Sequence, residues 1–260
     1  MIGALEEFMS LYDDRPIKDN TGGMLSPHMF LIWFALRALL PKAIIESGIW
    51  FGQGTWFFER ACPDAKLYCI DPNLDRIRYR SNRAEYFEQD FATIDWGHLS
   101  KAETLVFFDD HQDAYERVKT AKWFGFKHLV FEDNYPPLHG DCYSLKKAFM
   151  HSGFTFIPTP SRTIRGKLKQ KVRALLGITE PKRREILPNK LDAKYLRQNL
   201  AVYYEFPPIY KAAHTRWGDR WDETNHPTPE PLLSSVENRY QQRYKDEAVS
   251  YTWMCYAKLK

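Results

Sequence analysis

Two short apolar stretches in the middle of the chain each end in a group of polar residues that could do chemistry. The first group is Asp109-Asp110-His111 and the second is Glu132-Asp133-Asn134. Carboxylate and amide oxygens are the ligands that Mg²⁺ prefers in proteins. Carboxylates that lie close together also repel one another unless a cation joins them. If the fold brings the two groups together, the sequence therefore predicts a divalent-ion site.

His111 adds a side chain that can accept a proton near neutral pH. An imidazole has an unperturbed pKa of roughly 6.5, which suits a general base. We therefore predict that His111 and Asp110 are the catalytic residues. The alternative hypothesis is that these two residues only cap the helix that follows them.

A third candidate site is the turn Glu46 to Thr55, which contains three glycines and follows a short apolar run. Glycines allow a tight turn and a close approach of a ligand to the backbone. Asp71 ends the next apolar run, where a carboxylate can accept hydrogen bonds from a ribose diol. The combination predicts a site for a nucleoside cofactor. Similar turns and strand-end aspartates also occur in α/β proteins that bind other nucleotides or none.

These residues can act together only on a scaffold that brings the ends of strands to one place. Short apolar runs alternate with helical stretches through the first 160 residues of the chain. This alternation predicts a doubly wound, Rossmann-like and mostly parallel sheet with helices on both faces. Ligands bind beyond the carboxyl ends of the strands in such sheets. The predicted strands are 43–46, 67–70, 84–87, 104–108 and 127–131.

The alternation stops after about residue 160, and the composition changes to prolines, basic residues and aromatic residues. We therefore predict a Rossmann-like domain at 1–160 and a large insertion at 161–249 that shapes the acceptor site. Residues 250–260 are predicted to return to the sheet as an antiparallel C-terminal strand. We expect this last strand to pair with a strand at Phe154 to Pro158.

The glycine turn resembles motif I of the class I S-adenosylmethionine-dependent methyltransferases. Its acidic residue precedes the first glycine by two positions and the next glycine follows four residues later, whereas dinucleotide folds prefer G-x-G-x-x-G. The resemblance covers about residues 20 to 158 and implies S-adenosylmethionine as the cofactor. The residues that it assigns to cofactor binding are Glu46, Gly48, Trp50, Gly52, Thr55, Asp71, Asp90 and Asp109.

The two polar groups look like those of the metal-dependent O-methyltransferases of the catechol type. By position, Asp109, Asp133 and Asn134 would bind Mg²⁺, with Asp110 as the alternative to the first of them. That family has a lysine base where this chain has Gln112, and an amide cannot accept a proton usefully at neutral pH. The Asp-Asp-His sequence is also similar to the macrocin-type sugar methyltransferases and the cephalosporin hydroxylase-like group, so the acceptor stays open.

The composition limits the location and the partners of the protein. Hydrophobic residues make up 44% of the chain and charged residues 27%, which excludes wholesale disorder. The longest apolar stretch, Met29 to Leu40, is shorter than the roughly 20 residues of a transmembrane helix. The N-terminus has no basic region typical of a signal peptide, and the four cysteines have no disulfide-like spacing. We therefore predict a cytoplasmic protein with reduced cysteines.

These observations favour methyl transfer from S-adenosylmethionine to a hydroxyl of a sugar, a glycan or another small polyhydroxylated molecule, with a divalent metal. No nucleic-acid partner is expected, because the basic run from Arg162 to Lys190 has no interleaved aromatic residues. An oligomer is compatible with the sequence. Two rival hypotheses stay open: a related hydroxylase-like or nucleotide-sugar-modifying enzyme with another cofactor, and a noncatalytic cofactor-binding module.

Overall fold

The computed structural model of the protein describes residues 2–158, 182–216, 218, 220–221, 227–233 and 241–260. Nine strands lie in these ranges: β1 (Ala43–Ser47), β2 (Lys66–Ile70), β3 (Ala84–Phe87), β4 (Thr104–Phe108), β5 (His128–Phe131), β6 (Ser152–Pro158), β7 (Lys182–Pro188), β8 (Leu200–Glu205) and β9 (Cys255–Leu259). The α-helices of the same ranges are α1 (Ile2–Asp13), α2 (Ser26–Leu39), α3 (Gln53–Ala61), α4 (Ala114–Phe124), α5 (Leu145–Phe149), α6 (Leu191–Asn199) and α7 (Gln241–Glu247).

Seven of the strands form one sheet in the order β3-β2-β1-β4-β5-β9-β8. Strands β1 to β5 run parallel, and β9 runs antiparallel to both of its neighbours, β5 and β8. This arrangement confirms the predicted mostly parallel sheet with an antiparallel C-terminal strand. The strand order changes direction between β1 and β4. Ligands of doubly wound sheets bind at such a switch point, beyond the carboxyl ends of the strands.

The expected pairing of the last strand with residues 154–158 is wrong. Strand β6, which contains those residues, pairs with β7 in a separate two-stranded sheet. Strand β9 instead lies between β5 and β8, a strand that the sequence analysis had placed in the insertion. Strand β8 contains Val202, Tyr203 and Tyr204, which are β-branched and aromatic residues that favour strands. The main sheet therefore continues inside the range predicted as an insertion.

Helices cover the two faces of the sheet, and each face has its own apolar core. Helices α1, α2, α3 and α7 pack on one face, and helices α4, α5 and α6 pack on the other. Adjacent strand residues divide between the two cores, as Ile44 and Ile45 of β1 do. All four cysteines are buried and free, as predicted. Among the described residues, no helix has both the length and the apolar content that a membrane span requires.

Candidate cofactor and metal site

The turn after β1 packs directly against the end of β4. Gly48 has a φ of 98°, and a Cβ atom added to it would lie 2.0 Å from the carbonyl oxygen of Asp109. The Asp109 amide in turn donates a hydrogen bond to the carbonyl oxygen of Ser47 at 2.7 Å. Gly48 therefore lets two strand ends approach each other, a role that the sequence analysis did not foresee when it assigned this glycine to the cofactor.

A second glycine of the turn, Gly52, leads into helix α3. Its φ is 94°, and an added Cβ atom would lie 2.1 Å from the carbonyl oxygen of Tyr79. Helix α3 begins at the next residue, so its first backbone N–H groups face the turn. A helix N-terminus in this position favours negatively charged or hydrogen-bond-accepting ligand groups.

Glu46, the last but one residue of β1, is a buried carboxyl group with one unused oxygen. Its Oε2 atom accepts a hydrogen bond from the Thr55 hydroxyl at 2.5 Å, whereas Oε1 has no hydrogen-bond partner among the described residues. Burial raises the pKa of Glu46 to about 8. Oε1 lies next to the turn, 2.2 Å from the position of a Cβ atom on Gly54. The free oxygen fits a ligand that brings a hydrogen-bond donor to this point.

Asp71, at the end of β2, holds the glycine turn in place. Its Oδ2 atom accepts hydrogen bonds from the backbone amides of Ile49 and Trp50, both at 3.1 Å. Its Oδ1 atom accepts from the Asn73 amide at 2.9 Å, and the Arg76 guanidinium lies 2.7 Å from Oδ2. The predicted contact with a ribose stays a prediction. The contacts present show that this carboxylate also positions the turn.

Trp50 connects the turn to the segment before α2. Its indole Nε1 donates a hydrogen bond to the carbonyl oxygen of Thr21 at 3.1 Å. The Arg76 guanidinium lies over the indole, 4.6 Å from the ring centroid. Trp50 has a φ of 54°, so its backbone is in the left-handed region. Its predicted contact with the cofactor is untested, but the side chain does lie beside the turn.

Asp90, after β3, is joined to the end of β4 by an arginine that the sequence analysis missed. Both Nη atoms of Arg117 donate hydrogen bonds to the Asp90 carboxylate, at 2.8 and 2.6 Å. The same guanidinium lies 2.8 Å from Oδ2 of Asp110. Arg117 is almost completely buried on α4. The loops that follow β3 and β4 are therefore tied together by one buried cation.

Asp110 is engaged mainly in contacts within the protein. The Ser47 hydroxyl donates a hydrogen bond to Oδ2 at 2.7 Å, and the Gln112 amide donates to Oδ1 at 3.2 Å. Burial raises the pKa of Asp110, although the charge of Arg117 opposes the shift. The predicted catalytic role of Asp110 stays a prediction, and these contacts orient it toward β1 and α4.

The structure brings three side chains of the two polar groups together at the ends of β4 and β5. Asp109, His111 and Asp133 each offer one possible metal-ligand atom, and these atoms lie within 4.8 Å of one another. Nδ1 of His111 lies 3.1 Å from Oδ2 of Asp133. Burial and the charge of Glu132 raise the pKa values of Asp109 and Asp133 well above the usual range. A bound cation would stabilise the ionised forms of these carboxyl groups. We call these three residues the carboxylate–imidazole cluster.

Asn134, which the sequence predicted as a metal ligand, makes two hydrogen bonds within the protein. Its Oδ1 atom accepts a hydrogen bond from the Lys146 amide at 2.8 Å, and its Nδ2 atom donates to the Tyr203 hydroxyl at 3.0 Å. The side chain is completely buried. Its amide thus links α5 and β8, and its predicted role as a metal ligand stays a prediction.

Two further residues near the cluster were not identified from the sequence. Oδ1 of Asp141 lies 3.0 Å from Nδ1 of His111, and the thiol of Cys142 donates a hydrogen bond to the Asp133 carbonyl oxygen at 3.5 Å. Burial lowers the pKa of His111, but the charges of Asp133 and Asp141 outweigh it and the net shift is upward. Both residues lie farther along the loop after β5, beyond Glu132-Asp133-Asn134, where the sequence carries no further recognisable motif.

Glu132 lies close enough to the cluster to raise the pKa values of its two aspartates, and it also contacts residues of the core. The Thr252 hydroxyl lies 3.2 Å from its Oε1 atom, and Nε2 of His28 lies 3.5 Å from the same atom. Burial lowers the pKa of His28 to about 4, so this imidazole is neutral at physiological pH. Nδ1 of His28 accepts a hydrogen bond from the Leu25 amide, which leaves the proton on Nε2. This Nε2–H group donates a hydrogen bond to the Ser250 carbonyl oxygen, so the neutral His28 links α2 to the segment before β9.

Neither the protein-family models nor the curated proteins give a match to this chain. Solved structures align with parts of it. A structure described as cmcI with SAH is 16% identical with a TM-score of 0.36, and the alignment covers 43% of this chain and 62% of that chain. The O-methyltransferase TomG from Streptomyces achromogenes, in complex with SAM, is 17% identical with a TM-score of 0.39, covering 60% and 82%. A methyltransferase from Geobacter sulfurreducens is 16% identical with a TM-score of 0.38, covering 61% and 84%.

Proposed function

We propose that this protein transfers a methyl group from S-adenosylmethionine to a hydroxyl oxygen of a small acceptor. The observation that carries the proposal is the direct packing of Gly48 against Asp109 at the switch point of the sheet. This contact places the turn proposed for the cofactor next to the cluster proposed for the acceptor and a divalent ion. Methyl transfer from a sulfonium requires such adjacency, because the acceptor oxygen must approach the methyl carbon in line with the bond that breaks.

Residues around the glycine turn fit the polar groups of the cofactor. Oε1 of Glu46 is buried without a hydrogen-bond partner in the described part of the chain, and it would accept a bond from the ammonium group of the methionine part. Asp71 and Asp90 are the proposed contacts of the ribose and the adenine. Gly52 and Thr55 shape the turn between them. Two further proposed contacts, Trp50 and Gly48, complete the set of residues on this side of the switch point.

The two carboxylates of the carboxylate–imidazole cluster would hold a divalent ion. Asp109 and Asp133 supply oxygen donors, and their burial explains why a cation would stabilise them in the ionised form. Such an ion lowers the pKa of a hydroxyl that it binds. His111 has two chemical uses here, acceptance of the hydroxyl proton or donation of a lone pair to the ion. A neutral imidazole has one available lone pair, so these uses exclude each other.

The acceptor is proposed to be a sugar, a glycan or another polyhydroxylated molecule, bound with the help of residues 161–249. Trp221 of this range stacks on Trp253 with ring centroids 4.9 Å apart, and both belong to an aromatic cluster with Tyr135. Tyr135 is two residues from Asp133, so this aromatic cluster begins beside the proposed metal ligands. The basic segment at 164–176 and Trp217, which were also considered for recognition, lie outside the described residues.

Binding of the cofactor tests the proposal without knowledge of the acceptor. Isothermal titration calorimetry of the full chain should show binding of S-adenosylmethionine and S-adenosylhomocysteine, and Glu46→Gln should weaken both, because both carry the ammonium group. Glu88→Gln changes an exposed carboxylate and serves as the matched control. The absence of any affinity for S-adenosylmethionine in folded protein would refute the proposal, and binding of NAD in its place would favour the rival with another cofactor.

Transfer itself is measured with S-adenosylmethionine that carries a labelled methyl group and a panel of sugars and other polyols. We expect labelled product, loss of turnover in a chelator, and recovery when a divalent ion is added. Asp133→Asn should not respond to the ion, whereas Asp64→Asn, an exposed control, should behave like the wild type. Full turnover in chelator would contradict the need for a divalent ion. Cofactor binding without turnover of any acceptor in the panel would favour a noncatalytic module.

A further inference from the structure

We infer that His111 is a ligand of the divalent ion through Nδ1 and that the site therefore selects a first-row transition ion, such as Co²⁺, Zn²⁺ or Mn²⁺, over Mg²⁺. This inference rests on the divalent-ion part of the proposed function. It changes the ligand set expected from the sequence, in which an amide oxygen of Asn134 completed an all-oxygen site. It also replaces the predicted role of His111 as a base.

The positions of the donor atoms are the first observation in favour of His111 as a ligand. Nδ1 of His111 lies 3.1 Å from Oδ2 of Asp133, and one carboxylate oxygen of Asp109 completes a group whose members lie within 4.8 Å of one another. Donor atoms around one metal ion lie at about this separation, since metal–ligand distances are roughly 2.0–2.2 Å. The three residues come from the ends of β4 and β5, so the scaffold of the sheet fixes their separation.

A second observation points to a missing ligand at the same place. The Asp133 side chain is more than nine-tenths buried, and its Oδ2 atom has no hydrogen-bond partner among the described residues. This oxygen faces Nδ1 of His111 without the geometry of a hydrogen bond. Buried carboxylate oxygens without a partner are costly and therefore uncommon in folded proteins. An ion between Nδ1 and Oδ2 would give Oδ2 the partner that it lacks and would take the place of the hydrogen bond between Nδ1 and Asp141.

Asn134, the ligand expected from the sequence, already uses its amide oxygen in a hydrogen bond within the protein. Oδ1 of Asn134 accepts the Lys146 amide at 2.8 Å, so its replacement by a metal contact would leave that amide without its partner. The side chain of His111 has no hydrogen bond to a backbone atom of the described residues. In the described part of the chain, its Nδ1 atom contacts Oδ2 of Asp133 at 3.1 Å and Oδ1 of Asp141 at 3.0 Å, and the second contact is a hydrogen bond.

The chemistry of the donors decides which ion is selected. Imidazole nitrogen favours Zn²⁺, Fe²⁺, Co²⁺ and similar ions, whereas Mg²⁺ prefers oxygen ligands and water. A neutral imidazole that gives Nδ1 to an ion carries its proton on Nε2. The ion, by lowering the pKa of a bound hydroxyl, then provides the activation that had been assigned to a base. His111 thus acts on the acceptor through the ion.

The test compares Co²⁺ and Mg²⁺ binding to the chelator-treated full chain by calorimetry, without S-adenosylmethionine. The informative variant is His111→Asn, because asparagine tolerates the φ of 53° at this position and offers an amide oxygen in place of a nitrogen. We expect the variant to lose roughly 10- to 100-fold in Co²⁺ affinity and to change its Mg²⁺ affinity much less. Since oxygen sites also bind Co²⁺ more tightly than Mg²⁺, the ratio of the two affinities is the quantity to compare.

His98→Asn is the matched control, because His98 is exposed and lies outside the cluster. It should leave both affinities unchanged. Pulsed electron paramagnetic resonance of the Mn²⁺-loaded protein gives an independent signature, the coupling of the ion to an imidazole nitrogen. That coupling should be present in the wild type and in His98→Asn and absent in His111→Asn. Its absence from the wild type, or its persistence in His111→Asn, would overturn the inference.

The outcomes separate this inference from the proposed function. If S-adenosylmethionine binds and no ion binds, the divalent-ion site and the ligand role of His111 are both rejected, and the assignment of the cofactor is kept. If both ions bind and His111→Asn leaves their affinity ratio unchanged, only the ligand role falls, and a lower rate in that variant would restore the base hypothesis. If Co²⁺ binds through His111 and S-adenosylmethionine does not bind, the metal site stands and methyl transfer falls.

Discussion

Gly48 and Asp109 approach so closely that a single added carbon on the glycine would overlap the aspartate backbone. The position of a Cβ atom on Gly48 is 2.0 Å from the Asp109 carbonyl oxygen and 2.4 Å from its carbonyl carbon. Atoms without a covalent bond do not approach to such distances in proteins. The glycine therefore joins the cofactor turn to the β4 end as one packed unit, and any change in one is transmitted to the other.

Gly48→Ala should consequently unfold or strongly destabilise the protein, rather than weaken cofactor binding alone. The overlap is with backbone atoms, which cannot rotate away as a flexible side chain can, and the φ of 98° adds strain for alanine. We expect a loss of roughly 3 kcal/mol or more in the free energy of unfolding. Urea denaturation followed by circular dichroism measures it.

The control for this variant is Gly3→Ala. Gly3 lies in α1, and an added Cβ atom there meets no atom within 4 Å. Alanine at a helical position should be neutral or stabilise by about 0.5–1 kcal/mol. Similar stabilities of the two variants would show that the β1–β4 contact is looser than described.

Asp71→Ala should disturb the turn and the cofactor together. The change removes the acceptor of the Ile49 and Trp50 amides and leaves Arg76 without its carboxylate. We expect a fall in melting temperature and a rise of roughly 10- to 100-fold in the dissociation constant of S-adenosylmethionine, which corresponds to a charge-assisted hydrogen bond of about 1.5–3 kcal/mol. Asp75→Ala alters a nearby exposed carboxylate and should do neither. Unchanged affinity in a folded Asp71 variant would remove this residue from the site.

The sequence predicts the part of the fold in which buried strands alternate with helices. Strands β1, β2, β4 and β5 appear as apolar runs because both of their faces are covered, so no periodicity is needed to identify them, whereas β3 at the edge of the sheet is only partly buried. Strand β8 was not predicted, because it is only partly buried and lies among prolines and basic residues. The neighbour of β9 in the sheet depends on contacts between distant parts of the chain, which a local pattern does not contain.

The site was predictable to the level of strand ends, but not to the level of side-chain direction. The rule that ligands lie beyond the carboxyl ends of parallel strands brought Asp109 and Asp133 together correctly. It could not show that Asn134 turns toward Tyr203 or that His111 joins the cluster. Arg117 was missed because an arginine on a helix is usually exposed, and its burial is explained only by two carboxylates from other loops.

Arg117→Ala should destabilise the protein, because it leaves two carboxylates without their shared cation. Asp110 has a side-chain exposure of 13%, so its uncompensated charge is costly, whereas Asp90 at 48% is partly screened by water. We expect a loss of about 2–4 kcal/mol in the free energy of unfolding, below the range for a fully buried pair. Arg117→Lys should recover part of this loss, since it keeps the charge but not the bidentate contact.

Lys119→Ala is the control for the arginine, because it breaks an exposed ion pair with Glu116 on the same helix. Exposed pairs of this kind contribute less than about 1 kcal/mol. Both variants are measured by urea denaturation at the same salt concentration. Equal effects would mean that the bridge between Asp90 and Asp110 does not stabilise the fold.

The stability of the protein should depend on pH through Glu46. Burial raises the pKa of this carboxyl from its ordinary value near 4.5 to about 8 in the folded protein. Between these values the folded chain holds a proton that the unfolded chain releases, so the free energy of unfolding falls as the pH rises, by about 1.4 kcal/mol per pH unit in the middle of the window. Glu46→Gln has no such proton, and its stability relative to the wild type should therefore increase from pH 5 to pH 8. Urea midpoints across this range measure the difference, with the exposed Glu88→Gln as control, and parallel curves for wild type and Glu46→Gln would show that Glu46 is ionised in the folded state.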